Sequence, residues 1–188
     1  MSSILKKLYE KLVFFLHFFK NPIKLSTPMT TCSGIHEEIK KQVQKRNPKT
    51  IVELGAGVGS VTEHIFEVMP EDAQLLCIEQ EEAFCERLRE KYDDRVTVMQ
   101  GDALQLDEHV KDTPWEQSDA IISTVPLIID GADDLCEQIR FVLKPNGLYM
   151  QVANLPGPMK KHFDIEESWF YPTNIPPERL HLARDKAS

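Results

Sequence analysis

The sequence predicts an α/β protein whose mostly parallel sheet is covered by helices on both faces. Three observations carry this. Short, almost wholly apolar runs alternate with segments of helical period, the pattern of strands buried on both faces. The first run leads into a glycine-rich turn, Gly55-Ala56-Gly57-Val58-Gly59, that opens a helix. The 188 residues, 41% hydrophobic and 28% charged, suffice for one core and exclude a disordered, collagen-like or low-complexity chain.

The elements follow in order. Residues 4–20 place Leu5, Leu8, Leu12, Phe15, Leu16 and Phe19 on one helical face, with Lys6, Glu10, His17 and Lys20 opposite. Val13 and Phe14 interrupt the polar side. The apolar run is too short to span a bilayer. No small-residue cleavage site follows it, only Lys20-Asn21-Pro22, which argues against a signal peptide and ends the helix. Two readings stay open: a helix lying in a membrane interface, or one packed on the domain or a partner. Residues 1–24 are read as the interface helix, with Lys6, Lys7, Lys11, Leu12, Phe15 and Phe19 as its membrane contacts, and residues 25–188 as the domain.

Thr30 or Ser33 can cap a helix running to about residue 44, closed by Asn47-Pro48. Strands are expected at Thr50–Leu54, Gln74–Glu79, Val96–Gln100, 120–125 and 148–153, with helices over 58–69, 82–92 and 133–143. Two further runs, 165–171 and 179–183, flank a Pro-rich turn and read as a closing hairpin, which would put one antiparallel strand in the sheet. His36 and His64 read as solvated helix residues. Cys32, Cys77, Cys85 and Cys136 form no short CxxC pair, so neither a disulfide scaffold nor a metal site is expected.

The net charge of −8 hides an asymmetry. Residues 1–50 carry ten Lys/Arg against three Asp/Glu, a balance of +7; the rest carries −15. A basic front end points to an anionic partner. The acidic body argues against a large nucleic-acid footprint.

The glycine turn is spaced GxGxG rather than GxGxxG, and Glu53 precedes its first glycine by two residues. A carboxylate there would repel a pyrophosphate and suits a ligand bearing an ammonium group. Glu79, followed by Gln80, ends the second strand, where a carboxylate can accept both hydroxyls of a ribose. Gly101-Asp102-Ala103 follows the third, where Asp102 can accept from an adenine amino group. Ammonium, ribose and adenine are thus outlined in turn at the carboxyl ends of three neighbouring strands.

On these residues the chain resembles the class I S-adenosylmethionine-dependent methyltransferases, over about residue 33 to the end. The resemblance implies S-adenosylmethionine as cofactor, held by Glu53, Gly55, Ala56, Gly57, Gly59, Glu79, Gln80, Asp102 and Ala103. It also implies a Rossmann-like, seven-stranded sheet of order 3-2-1-4-5-7-6. After the fourth strand, Ser123-Thr124-Val125-Pro126-Leu127 stands where adenine-methylating relatives, the ribosomal-RNA dimethyltransferases among them, carry Asn/Asp-Pro-Pro-aromatic. Without the amide and the aromatic, binding of a flipped base would suffer.

The pattern is more similar to the bacterial phospholipid N-methyltransferases, which usually read Ser-Gly-Leu-Pro-Leu here. Asn174-Ile175-Pro176-Pro177 resembles their closing Asn-x-Pro-Pro. This resemblance implies methylation of the phosphatidylethanolamine amine toward phosphatidylcholine, with Ser123 orienting the acceptor and Ser123, Pro126 and Leu127 contacting it. It implies a protein on the inner, cytoplasmic face of the membrane, meeting an anionic surface and a phospholipid, with no metal and no nucleic-acid partner. The alternatives are another acceptor, namely a soluble amine, another lipid, protein or RNA, or a nucleoside-binding module without turnover.

Overall fold

A computed structural model describes residues 33–172, 174 and 177–186. The proposed interface helix, with Lys6, Lys7, Lys11, Leu12, Phe15 and Phe19, lies outside the described residues.

Seven strands form one sheet in the order β3-β2-β1-β4-β5-β7-β6. They are β1 (Thr50–Leu54), β2 (Gln74–Glu79), β3 (Val96–Gln100), β4 (Ser118–Ser123), β5 (Leu143–Val152), β6 (Phe163–Tyr171) and β7 (Glu178–Asp185). Strands β1 to β5 pair in parallel, and β7 runs antiparallel to both β5 and β6. The order and the single reversed strand are those expected. Because β7 runs backwards, the turn from β6 into β7 returns to the edge where the parallel strands end, beside the glycine turn.

Helices α1 (Ser33–Arg46), α2 (Ser60–Val68) and α3 (Glu82–Lys91) cover one face. There Ile35, Ile39, Val43, Val61, Ile65 and Leu88 pack on Ile51, Leu75, Ile122 and Met150. The other face is covered by α4 (Leu106–Lys111), which continues a 3-10 turn over Ala103–Gln105, and by α5 (Ala132–Val142) and α6 (Met159–His162). Leu106, Val110, Leu135, Ile139 and Met159 meet Val52, Leu76, Ile121 and Tyr149 there. Two apolar faces explain why the central strands read as continuous runs rather than alternating ones.

The structure moves several boundaries. Strand β4 starts and ends two residues earlier than expected. Strand β5 begins at Leu143, five residues early, because Leu143 pairs with Ser118 before a register shift; Asn146 takes a φ of 60° within it. The helical stretch 103–111 and α6 were not expected. Finally, His36 is not solvated: it is buried, its ring stacked on His64 at 4.2 Å between centroids, and burial lowers its pKa to about 4.

Candidate active site

The carboxyl ends of β1, β2, β3 and β4 converge where the polypeptide turns out of the sheet. Strand β1 places Glu53 opposite Cys77 of β2 and Ile122 of β4, so its carboxylate is fully buried. The Cys77 thiol donates to Glu53 Oε2 at 3.4 Å, whereas Oε1 has no hydrogen-bond partner. Burial raises the Glu53 pKa to about 7, helped by the Glu79 charge and opposed by Thr62 and Cys77.

Two more buried oxygens nearby, Thr62 Oγ1 and the Tyr92 hydroxyl, make no hydrogen bond of good geometry, though Thr62 stands close enough to Glu53 to favour its charged form. Each is 3.7 Å from where a Cβ on Gly59 would sit. These oxygens under the glycine turn could accept from a ligand that donates hydrogen bonds, and an ammonium has three protons to donate. Neither Thr62 nor Tyr92 carries a local signal, since both read as ordinary residues of helical segments.

The glycine turn is pinned from both sides. Gly55 N–H donates to the Ile78 carbonyl at 2.9 Å, and Thr124 Oγ1 donates to the Gly55 carbonyl at 2.7 Å. Gly57 adopts a φ of 54°, and a Cβ there would meet only the Gly55 carbonyl oxygen, at 4.0 Å. The backbone is therefore left bare toward open space, as close approach to a ligand requires.

Glu79 Oε2 accepts from Gly57 N–H at 2.7 Å and Oε1 from Glu81 N–H at 2.9 Å. Each oxygen keeps a lone pair for a ribose hydroxyl. Gln80 is exposed, its carbonyl accepting from Gln100 Nε2 at 3.3 Å. Half-buried Asp102 caps the 3-10 turn, Oδ1 accepting from Leu104 N–H at 3.0 Å. Ala56 and Ala103 are buried beneath the two turns. The donors and acceptors present are of the kind S-adenosylmethionine requires: a buried acid with hydroxyls for an ammonium, a carboxylate with free lone pairs for a ribose, and a third acid one strand further on.

The acceptor residues lie beyond β4. Ser123 is fully buried, its Oγ accepting from Val125 N–H at 3.3 Å. Leu127 is buried in the core with Ala103, Leu106 and Leu135, while Pro126 is half-buried. Ser123 thus shapes the turn, and Val125 and Pro126 are its more accessible members. Gln151 of β5, fully buried, donates through Nε2 to the Val125 carbonyl at 2.9 Å, and its Oε1 accepts from the Tyr149 hydroxyl at 2.8 Å.

On β7, His181 bonds Ala153 O through Nε2 at 2.9 Å and Ser168 Oγ through Nδ1 at 3.0 Å. Burial lowers its pKa, so a neutral ring donates to the carbonyl and accepts from the hydroxyl. The Tyr171 ring crosses Gly34, where a Cβ would stand 2.5 Å from Tyr171 Cε1. The start of α1 and the end of β6 therefore meet at this same edge. Thr124 belongs to the acceptor segment read from the sequence; Gln151 and His181 are not expected at the site from the sequence.

With this geometry in view, the chain can be compared with known proteins. The family model of ribosomal RNA adenine dimethylase matches residues 30–163. The chain is 26% identical to the ornithine lipid N-methyltransferase of Singulisphaera acidiphila, over 89% of this chain and 92% of that protein. The O-methyltransferase of Bacillus cereus, solved with SAH, shares the fold at a TM-score of 0.71 and 13% identity, covering 96% of this chain and 91% of that one. TomG of Streptomyces achromogenes, solved with SAM, does so at 0.68 and 15%, covering 98% and 90%. The chain belongs to the ribosomal RNA adenine dimethylase family and is a class I methyltransferase dependent on S-adenosylmethionine.

Proposed function

We propose that this chain methylates the primary amine of a membrane lipid, phosphatidylethanolamine in the first place, at the membrane surface. The observation that carries the reading is the turn after β4. Where a base-methylating enzyme needs an amide and an exposed aromatic ring, this chain has a buried Ser123 and a Leu127 turned into the core. Leu127 offers no platform on which a base could stack. A small aliphatic amine needs none. The likeness to an ornithine lipid N-methyltransferase, along nearly the whole of both chains, supports a lipid amine and favours ornithine lipid as a second acceptor.

S-adenosylmethionine supplies a methyl group already activated on a sulfonium. What remains for the protein is alignment and exclusion of water. Glu53, with Thr62 and Tyr92, would hold the ammonium, Glu79 the ribose, and Asp102 with Ala103 the adenine. The Val125 carbonyl, held by Gln151, and the half-buried Pro126 would take up the lipid amine. An alkylamine with a pKa of roughly 10 must shed its proton before it attacks, and partial desolvation in that turn favours the neutral form. The amine first gives a proton to water; its nitrogen lone pair then bonds the methyl carbon as the carbon–sulfur bond breaks, and S-adenosylhomocysteine leaves as a neutral thioether. Residues 1–24 would bring the domain to an anionic surface, each Lys contributing about 1 kcal/mol.

The test is transfer of labelled methyl to vesicles. One set holds phosphatidylethanolamine with anionic lipid, one ornithine lipid with anionic lipid, one anionic lipid alone, and a fourth reaction offers ribosomal RNA. Label in the phosphatidylethanolamine set is expected. Label in RNA only, or in nothing while the cofactor still binds by calorimetry, refutes the reading.

A further inference from the structure

Four large apolar side chains stand well exposed among the described residues: Ile128 at 51%, Phe141 at 72%, Leu155 at 67% and Phe170 at 49%. Three of them share one edge of the sheet. Ile128 lies in the segment leaving β4, Leu155 in the segment leaving β5, and Phe170 at the end of β6, which runs parallel to β5. Phe141, near the end of α5, belongs to the opposite edge.

The three segments are fastened together. Gln151 Nε2 ties β5 to the Val125 carbonyl at 2.9 Å, Ala153 N–H donates to the Arg179 carbonyl at 2.9 Å, and Asn154 Nδ2 to the Pro177 carbonyl at 2.7 Å. The apolar side chains thus project from a braced rim.

A cation completes this rim. Arg179 pairs with Phe170 across β6 and β7, and its guanidinium lies over the Phe170 ring, 4.5 Å from the centroid. It forms no ion pair among the described residues, whereas Arg140 and Arg184 are paired with Asp185 and Glu166. Its neighbour Glu178 is occupied by Asn174, and burial holds the Glu178 pKa up. Asp130, beside Ile128, is an exposed acid near the rim, as are Asp133, paired with Lys161, and Asp134 in the first turn of α5.

Apolar side chains around an unpaired guanidinium form the combination that a bilayer surface accepts, with hydrocarbon below and lipid phosphate above. The rim also borders the turn assigned to the lipid amine.

We infer that Ile128, Leu155 and Phe170, with Arg179, form a membrane-docking edge of the catalytic domain itself, separate from residues 1–24. The apolar side chains enter the headgroup boundary and the guanidinium meets an anionic lipid oxygen. The choice of a bilayer as partner rests on the lipid reading above, but the contact is measurable without turnover.

The test uses the full chain in a Cys32→Ser background. A polarity-sensitive dye is attached to Leu155→Cys, and in a second protein to Phe141→Cys at the opposite edge. Vesicles of phosphatidylethanolamine and phosphatidylglycerol are added. A blue shift at position 155 and none at 141 is expected, and Arg179→Gln should weaken the response to anionic vesicles more than to neutral ones.

A second variant, Ile128→Ser/Leu155→Ser/Phe170→Ser, is expected to lose at least about tenfold in methyl transfer to bilayer lipid while keeping cofactor affinity and transfer to a monomeric short-chain phosphatidylethanolamine. No shift at 155, equal shifts at both positions, or a shift at 155 that follows protein concentration without vesicles overturns the inference, the last in favour of a second copy. A shift at 155 with no lipid methylated leaves the edge standing and removes the lipid amine as acceptor.

Discussion

Replacing Glu53 with Gln should stabilise the cofactor-free protein while weakening its grip on the cofactor. The carboxyl is fully buried and its pKa stands near 7, against 4.5 for an unfolded chain. A group whose pKa is raised by folding holds its proton longer in the native state. The native protein therefore gives up stability as pH rises from 4.5 to 7, and the whole deficit is present above 7. Two and a half pKa units correspond to about 3 kcal/mol.

Glutamine removes the ionisation, and its amide can donate toward the otherwise unpartnered Thr62 hydroxyl. The difference in melting temperature between variant and wild type should be near zero at pH 4.5 and reach roughly 6 to 10 °C at pH 8. Cofactor binding should move the other way. If the ionised carboxylate receives the ammonium, wild-type affinity falls roughly eightfold from pH 7.5 to pH 6, and the variant is weaker and flat over that interval. Melting curves by scanning calorimetry and titration calorimetry with S-adenosylmethionine read both quantities. A variant no more stable than wild type at pH 8, together with wild-type affinity that ignores pH, would refute the placement of Glu53 under the ammonium.

Three other outcomes are expected. Glu79→Ala should lower cofactor affinity at least about a hundredfold by titration calorimetry, since it removes both ribose acceptors and releases the Gly57 and Glu81 amides. Gly57→Ala should destabilise the fold by about 1 kcal/mol through its φ of 54° and reduce affinity further by placing a methyl on the bare face of the turn, so that a loss of stability alone would argue against contact there. Gln151→Leu should leave cofactor affinity unchanged and cut kcat/KM for the acceptor about tenfold, because the Val125 carbonyl loses its brace; it should also cost about 1 to 3 kcal/mol in urea unfolding from the stranded Tyr149 hydroxyl.

The residues proposed for the cofactor are legible in the sequence because their signals are local. Glu53, the three glycines, Glu79 and Asp102 each sit within a few residues of a strand end, and a strand followed by a turn is visible in one stretch of chain. Strands β1, β2 and β3 fall on the expected residues for the same reason. What escaped depends on partners distant in sequence. Cys77 meets Glu53 only through the register of β1 on β2, and Gln151 reaches Val125 only because β4 and β5 are neighbours. His36 read as solvated since nothing in its own helix reveals His64 across the α1–α2 contact. The start of β5 was hidden by Lys144-Pro145-Asn146-Gly147, whose composition signals a turn although Leu143 has already paired with Ser118. The 3-10 turn and α4 are too short to display a helical period.

The division of the sheet at β1 and β4 has a consequence for how such a protein changes over generations. The residues assigned to the cofactor come from β1, β2, β3 and the turns that follow them. Those proposed for the acceptor come from the turn after β4 and from β5. The ladder of β1 on β4 and the bond from Thr124 to Gly55 join the two sets. A lineage can therefore drift in the turns that follow β4, β5 and β6 and acquire a new substrate without rebuilding the apparatus that delivers the methyl group. The reversed strand β7 makes such drift easier, because it brings its connecting turn to the entrance, where length and sequence can vary with little penalty to the core.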